Sequence, residues 1–269
     1  MVRPNQFREA SLTPVRFATA AAVLALLAAP TLVSGAGRTA PAAITAAIAD
    51  IGRPAADVAK DPSRKPAEII AFARVKPGQT VIDIWPGGGY WTRLFSAVVG
   101  PKGKVYSYIP AEIAGFKANP VAIIKNIAAE PDRHNVIEVS DPLASVPPPA
   151  MDNTVDVAFT FENYHDTHDS FMKGASVDGF NAAMFKLIKH GGYYVIVDHA
   201  AAAGSGLSHT EDLHRIDPAA VRAEVEKAGF KFDGESKVLA NADDPKDKIV
   251  FDPSIRGKTD RFAYRFRKP

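Results

Sequence analysis

Hydrophobic and polar positions follow two different periods along most of the chain. Short β-branched runs predict strands, and stretches with apolar residues three or four positions apart predict helices between them. The predicted strands are residues 81–84, 104–109, 135–139, 154–161, 193–198, 230–239 and 261–267. Strand and helix alternate until two strands close the chain. This order predicts an α/β fold: a doubly wound, seven-stranded, mostly parallel sheet of Rossmann-like type with an antiparallel edge strand.

Prolines and glycines set the predicted helix limits. Pro66 fits the first turn of a helix that runs to about residue 72, and Pro120 must break or kink the helical pattern of residues 113–127. A third helical pattern spans residues 171–188, and the glycine pair 191–192 is expected to end it before the fifth strand. Asp217 precedes Pro218, a cap-and-proline pair that predicts the start of another helix.

The N-terminal segment predicts a targeting signal. Residues 1–36 have a basic start, with arginines at positions 3, 8 and 16 against one acid, Glu9. An uncharged alanine- and leucine-rich stretch follows, and the segment ends on Ser34-Gly35-Ala36, small residues typical of a cleavage site. We therefore expect a signal peptide at 1–36, a helical extension at 37–65 and the α/β domain at 66–269. The mature chain would be periplasmic or secreted, without stable membrane association after signal removal.

Composition narrows the possible partners. The whole chain has a formal net charge of +2, and beyond residue 36 acidic and basic side chains balance. This balance argues against a nucleic-acid surface and leaves a small molecule as the expected partner. The chain has no cysteine, which excludes disulfides and thiolate metal sites. Oligomeric state is not predicted.

Residues 80–96 carry the strongest motif. Asp83 lies inside the first strand, and Gly87, Gly88 and Gly89 follow that strand before a helical pattern begins. The spacing matches neither the dinucleotide fingerprint G-x-G-x-x-G nor the phosphate loop G-x-x-x-x-G-K-[ST]. An acid near the strand end followed by G-x-G resembles motif I of the class I S-adenosylmethionine (SAM) methyltransferases.

Two later segments strengthen this resemblance, which covers roughly residues 60–269. They are Asn163-Tyr-His-Asp166 and Leu213-His-Arg-Ile-Asp217, and with the glycine motif they are similar to exported bacterial proteins described as SAM-dependent methyltransferases. The resemblance implies the class I methyltransferase fold, SAM as cofactor and a SAM-dependent methyltransferase activity. The residues that it implies for cofactor binding are Asp83, Trp85, Gly87, Gly88, Gly89, Tyr90, Glu112, Asp141 and Asn163.

Two positions depart from the family pattern. Trp85 stands where the first glycine of the loop is usual, so either the turn is wider or the indole lines the site. Ile109 stands where an acid normally ends the second strand and holds the ribose hydroxyls. Glu112 is the candidate replacement for that acid; it is equally consistent with a first-turn residue favoured by the helix dipole. Asp141 is placed near the adenine, or else starts a turn before Pro142.

The segment after the fourth strand predicts the catalytic group. It has the sequence Phe161-Glu-Asn-Tyr-His-Asp-Thr-His-Asp169, and substrates of open α/β sheets bind at this edge. Its His-Asp pair is similar to that of O-methyltransferases with a histidine base. We expect His165 to take the proton of a hydroxylated acceptor, with Asp166 or Asp198 orienting the ring. The alternative is that the histidines merely begin a helix capped by Asp169.

Two other functions remain open at this point. One is a non-catalytic member of the fold that binds a ligand. The other is a metal-dependent enzyme, because imidazole and carboxylate groups crowd the loops at one sheet edge. No H-E-x-x-H or comparable spacing occurs, so we assign no metal ligands from the sequence. The residues that could take part are His165, Asp166, His168, Asp169, Asp198, His199, His209, Asp212 and His214.

Overall fold

The fold is a seven-stranded sheet flanked by helices, as the pattern predicts. A computed structural model describes residues 40–143, 151–172 and 175–269. The strand order is β3-β2-β1-β4-β5-β7-β6. Strands β1 to β5 run parallel, and β7 pairs antiparallel with both β5 and β6. The prediction of a mostly parallel sheet with antiparallel pairing at one edge is confirmed; the signal peptide predicted at 1–36 lies outside the described residues.

The strands lie close to their predicted positions. They are β1 (Thr80–Ile84), β2 (Lys104–Tyr108), β3 (Val136–Val139), β4 (Val155–Phe161), β5 (Ile188–His199), β6 (Lys231–Ser236) and β7 (Arg261–Arg267). The helices are α1 (Ala40–Ile48), α2 (Ala55–Val58), α3 (Asp61–Arg64), α4 (Pro66–Phe72), α5 (Tyr90–Val99), α6 (Ala111–Ala114), α7 (Pro120–Ala128), α8 (Val177–Leu187), α9 (Thr210–Leu213) and α10 (Pro218–Lys227).

One predicted helix start, at Pro218, and one predicted helix break, at Pro120, are confirmed. Asp217 accepts the backbone N–H of Ala219 at 2.9 Å, and Pro218 follows it at the first helical position of α10. Asn119 accepts the N–H of Ala122 at 3.2 Å and begins α7 at Pro120. The break at Pro120 thus divides the helical pattern of residues 113–127 into α6 and α7.

Two local predictions are wrong. The helix expected from residue 171 begins only at Val177, where Ser176 accepts the N–H of Gly179 at 3.0 Å. The glycine pair 191–192 does not separate helix from strand, because α8 ends at Leu187 and β5 already begins at Ile188. A side chain at Gly192 would come within 2.9 Å of the Asp156 carbonyl oxygen of β4, so the glycine permits close strand pairing.

The centre of the sheet positions the site. Strands β1 and β4 are neighbours, and their hydrophobic residues are almost completely buried. The loops that follow them therefore meet at one edge, the carboxyl edge where parallel α/β sheets bind ligands. Helix α1 buries Ala43, Ile44 and Ala47 within the same core. No helix in the described part of the chain has the length and apolar character needed to cross a membrane.

Candidate functional site

A cavity of about 300 Å³ lies at the carboxyl edge of the sheet. Its wall combines the glycine loop after β1, the segment after β4, the end of α3 and the loop around His214. Volumes of this size are at the lower end of small-molecule sites. The lining residues are Lys60, Arg64, Asp83, Trp85, Pro86, Gly87, Gly88, Tyr90, Trp91, Phe161, Glu162, Asn163, His165, Asp166, His199, His214, Val250 and Phe251.

The glycine loop leaves its backbone open to a ligand. A side chain added at Gly87 or Gly88 would meet no atom within 4 Å, so the peptide groups face free space. Gly89 has a φ of 80° and precedes α5, and a Cβ there would lie 2.1 Å from the Ile127 side chain. Gly89 therefore permits close packing against Ile127, whereas Gly87 and Gly88 line the cavity.

Trp85 has a backbone conformation that favours glycine. Its φ is 61°, in the left-handed region that favours glycine, and its N–H donates to the Tyr108 carbonyl oxygen at 2.8 Å. The indole lines the cavity and meets the Phe171 ring edge-on at 6.1 Å. Of the two possibilities raised by the sequence, the second holds: the indole forms part of the cavity wall.

Strained backbone recurs around this cavity. Besides Trp85, the lining residues Glu162 and His214 have φ values of 62° and 53°. Such conformations cost about 1–3 kcal/mol each and persist where the surrounding structure enforces them. The three residues belong to three chain segments that meet at the cavity. A hydrophobic pattern does not predict such backbone conformations.

Asp83 carries a buried carboxyl group that accepts a side-chain hydrogen bond. It accepts the Thr92 hydroxyl at 2.6 Å, and the same hydroxyl lies 3.0 Å from that of Ser107. Burial raises the pKa of Asp83 to about 7, although the Thr92 hydrogen bond and the charge of Arg64 act in the opposite direction. Because Asp83 also lines the cavity, it can meet a cationic ligand group there.

Arg64 and Lys60 add positive charge to the cavity, and the sequence reasoning missed both. The Arg64 guanidinium lies 4.5 Å from the centre of the Tyr90 ring and 3.9 Å from Glu162. Tyr90 donates to Asp61 at 2.6 Å, which fixes its ring under Arg64. The only sequence signal was a basic pair before Pro66, which we assigned to an extension rather than to the site.

His165 is held in one orientation by Asp198. Its Nδ1 lies 2.8 Å from Asp198 Oδ1, and its backbone N–H donates to Asp198 Oδ2 at 2.8 Å. Asp198 lies at the end of β5, directly beside the segment after β4, and is completely buried. Of the two carboxylates considered for orienting the ring, Asp198 contacts Nδ1 and leaves Nε2 facing the cavity.

Asp166 and His214 surround the other nitrogen of His165. The Nε2 atom lies 3.3 Å from Asp166 Oδ1 and 3.2 Å from His214 Nδ1. Asn163 donates to Asp166 Oδ2 at 2.9 Å. Burial lowers the pKa of His165, but the carboxylates of Asp198 and Asp166 outweigh it and raise that pKa well above the usual value. Burial raises the pKa of Asp166, whereas its hydrogen bonds with His165 and His214 bring it below the usual range.

The alternative role for this segment, a helix start capped by Asp169, is wrong. Residues His165–His168 form one 3-10 turn, which ends at Asp169. Tyr164 packs in the core and donates to Glu224 at 2.9 Å. His168 also points to Glu224, at 3.3 Å. Of the two histidines of this turn, His165 therefore lines the cavity, whereas His168 contacts Glu224.

Several residues assigned to cofactor binding do not line this cavity. Glu112 accepts the backbone N–H of Leu143 through both carboxylate oxygens, at 3.1 and 3.2 Å. The carbonyl oxygen of Asp141 accepts the Tyr108 hydroxyl at 2.8 Å. These contacts join the ends of β2 and β3, next to the cavity on the side of Trp85. The predicted residues outside the cavity wall are Gly89, Glu112, Asp141 and Asp198.

Comparisons with solved structures identify the architecture. A SAM-dependent methyltransferase from Aquifex aeolicus matches with a TM-score of 0.56 and 21% identity, covering 79% of this chain and 96% of that one. Phosphoethanolamine N-methyltransferase 2 of Haemonchus contortus, solved with SAM, matches with a TM-score of 0.53 and 14% identity, covering 77% and 52%. The [4+2]-cyclase SpnF matches with a TM-score of 0.51 and 16% identity, covering 82% and 84%.

These likenesses establish the fold, which is that of SAM-dependent methyltransferases. No family model matches the sequence. No curated protein matches it either. Because a cyclase shares the architecture, the fold leaves the reaction open, and function has to be argued from the site itself.

Proposed function

We propose that this protein is a SAM-dependent methyltransferase that methylates a hydroxyl group of a small acceptor. The observation that carries the proposal is one cavity that joins the open glycine loop after β1 to the oriented His165 after β4. The first element suits a nucleoside cofactor, and the second suits proton removal from an acceptor. The likeness to methyltransferase structures supports the same conclusion.

The residues at the amino-acid end of SAM fit that group. SAM carries a carboxylate and an ammonium there. Arg64 and Lys60 would meet the carboxylate, while Asp83 would meet the ammonium directly or through water. The backbone at Gly87 and Gly88 is open to close approach. We further propose that Asn163, Trp85 and Tyr90 complete this part of the cofactor site.

The ribose and adenine would lie beyond Trp85, at the ends of β2 and β3. Glu112 and Asp141 are the polar residues proposed for that part of the site. Glu112 is bound to the Leu143 N–H, so it would have to exchange that bond for the ribose hydroxyls. This exchange is the least favourable part of the fit, and it is where weak cofactor affinity would originate.

Proton removal is assigned to His165. Bound SAM would supply an electrophilic methyl group on its sulfonium. The acceptor hydroxyl would lie against His165, whose Nε2 would take its proton as the methyl group is transferred to the oxygen, with S-adenosylhomocysteine as the leaving group. Asp198 fixes the ring, and the carboxylates of Asp198 and Asp166 stabilise the imidazolium that forms. Because they also raise the pKa of His165, the neutral imidazole that takes the proton becomes more populated as the pH rises.

Calorimetry of the full chain with SAM and S-adenosylhomocysteine tests the cofactor. We expect binding in the micromolar range, abolished by Asp83→Ala and unchanged by Asp178→Ala, which alters an exposed carboxylate. No heat with either nucleoside would overturn the proposal. Circular dichroism of the variants separates lost binding from lost folding.

Radiolabelled SAM tests the chemistry. Methyl transfer to catechol, 4-hydroxybenzoate and glycerol would be measured for the wild type, and then for His165→Ala with the acceptor that works best. We expect turnover to disappear while S-adenosylhomocysteine affinity stays within about threefold. If the variant lost affinity and turnover together, the base assignment would be wrong. Failure of the three acceptors to react would contradict the hydroxyl assignment for these classes.

We also propose that this protein is exported and related to exported bacterial methyltransferases. It would have no nucleic-acid partner and no stable membrane association. The support is the N-terminal segment and the charge balance beyond it. Fractionation of cells that express the full chain should recover a shortened form, beginning at Gly37, outside the cytoplasm. Recovery of the intact chain in the cytoplasm would contradict this. Because SAM is made in the cytoplasm, the same fractions should be assayed for bound nucleoside.

A further inference from the structure

We propose that His165, Asp166 and His214 form a binding site for a divalent transition-metal ion of the zinc class. The three donor atoms are His165 Nε2, Asp166 Oδ1 and His214 Nδ1. Their separations are 3.2 Å between the two nitrogens, 3.3 Å from His165 to Asp166 and 3.5 Å from His214 to Asp166. Ligands about 2.1 Å from a tetrahedral ion lie about 3.4 Å apart, so the triangle already has the required size.

The outer contacts of this cluster are those that orient metal ligands. Asp198 binds Nδ1 of His165 at 2.8 Å, which assigns the proton to that nitrogen and the free lone pair to Nε2. Asn163 donates to Oδ2 of Asp166 at 2.9 Å, so Oδ1 is the oxygen that lies against the two histidines. Each of these ligands thus has one atom held by the protein and one directed at the cluster.

Two further observations point the same way. Asp169 is buried, and its Oδ1 has no hydrogen-bond partner among the described residues. Its carboxyl group lies within electrostatic reach of His165 and His214 but is not one of the three mutually close donors. His214 keeps a left-handed backbone, with a φ of 53°, in order to reach the cluster, and the Phe251 ring lies 5.0 Å from its imidazole.

The donor set selects the ion. Two imidazoles with one carboxylate suit zinc, iron, manganese, cobalt or nickel, whereas magnesium and calcium prefer oxygen ligands. All three ligands also line the cavity, so an ion there would keep open positions for a small molecule. The competing explanation is a network of ordinary hydrogen bonds, and the experiment below separates the two.

The metal site does not depend on the proposed methyl transfer, because its test needs no nucleoside. The two proposals nevertheless meet at one atom. An ion bound to Nε2 of His165 occupies the lone pair assigned to the substrate proton, so we expect saturating zinc to slow methyl transfer. Activity that required zinc would overturn the base assignment and support the metal site.

The test is calorimetry of the chelator-treated full chain with Zn²⁺, with Mg²⁺ for comparison. We expect one Zn²⁺ per chain in the micromolar range or tighter and no binding of Mg²⁺. His214→Ala and Asp166→Asn should each weaken zinc binding at least about 10-fold, and Asn163→Ala about 10-fold through the outer contact. His209→Ala is the matched control, because His209 is partly exposed and pairs with Asp212 away from the cluster.

Co²⁺ provides a second measurement. Its visible absorption reports nitrogen and oxygen ligation, and we expect the spectrum to be lost in His214→Ala but retained in His209→Ala. Circular dichroism checks that the variants fold. Absence of Zn²⁺ binding by the wild type, or equal affinity in His214→Ala, Asp166→Asn and the control, would overturn the site and leave a hydrogen-bonded cluster.

Discussion

Arg215 and Asp244 form an ion pair with both side chains completely buried. Nη1 lies 2.7 Å from Oδ2 and Nη2 lies 3.0 Å from Oδ1, a two-point contact. Arg215 also donates to the carbonyl oxygens of Ala200 and Lys248, each at 3.0 Å. Because His214 directly precedes Arg215, the pair anchors the segment that brings this histidine to the cavity.

Loss of one partner should destabilise the fold. Asp244→Ala leaves the Arg215 charge buried without its carboxylate, so we expect the free energy of unfolding to fall by about 3–5 kcal/mol. Urea unfolding followed by circular dichroism measures this. Asp178→Ala is the control, because it removes an exposed ion pair with Lys227 and should cost less than about 1 kcal/mol. Equal small losses in the two variants would contradict the role assigned to the buried pair.

Asp83 should make the stability of the protein depend on pH. Its pKa is about 7 in the folded protein against 3.8 for the unfolded reference, so between these values the folded state binds more protons. Stability from this group is therefore full below about pH 4 and is lost as pH rises to about 7, by about 4 kcal/mol. Asp83→Asn lacks this loss, and above pH 7 it should be more stable than the wild type.

The measurement is urea unfolding of the wild type and Asp83→Asn across that pH range. Other groups contribute equally to both proteins, so the difference between their unfolding free energies isolates Asp83. Asp178→Asn, a change at an exposed position, should run parallel to the wild type. A constant difference between Asp83→Asn and the wild type over the whole range would show that Asp83 does not titrate there.

Gly89 and Gly88 should respond differently to alanine. Gly89→Ala forces a side chain into a φ of 80° and against Ile127, so we expect a loss of at least about 1–2 kcal/mol. Gly88→Ala meets open space and should leave the free energy of unfolding almost unchanged. Thermal unfolding of the two variants compares them directly. A loss at Gly88 as large as that at Gly89 would contradict the assigned roles.

Arg64 should recognise a carboxylate on the ligand. Arg64→Met keeps much of the aliphatic stem and removes the charge, so we expect S-adenosylhomocysteine affinity to fall about 10-fold. Affinity for 5′-methylthioadenosine, which lacks the amino-acid tail, should not change. Arg74→Met is the control, because Arg74 packs over Tyr193 and does not line the cavity. Equal losses for both nucleosides would assign Arg64 a structural role instead.

The sequence predicts those parts of the fold that depend on local patterns. The β-branched run of β1 and the Asp217-Pro218 cap each specify an element through neighbours in the chain. The glycine pair 191–192 misleads because Gly192 permits close pairing with β4, a contact between distant segments. The parallel direction of the first five strands follows from the alternation of helix and strand.

The site was predicted only in part. His165 and Asp198 could be paired because His165 follows β4 and Asp198 lies at the end of β5, and these strand ends meet at one edge. His214 could be placed only at the same sheet edge, as one of nine candidates. Its contact with His165 depends on a strained backbone and on the distant partner of its neighbour Arg215. Arg64 was missed because it precedes the first strand, where a linear pattern gives no indication of which wall a side chain joins.

The segment before α4 has a practical consequence for anyone who prepares a shorter version of this protein. Arg53 donates to Asp61 through both guanidinium nitrogens, at 2.8 and 2.6 Å, and Asp61 in turn holds Tyr90. A version trimmed to start at Pro66 would retain every strand, so its circular dichroism spectrum would still show the secondary structure of the sheet. It would nonetheless lack Lys60 and Arg64 and thus one side of the cavity. Failure of the shorter version to bind a ligand would therefore not apply to the full chain.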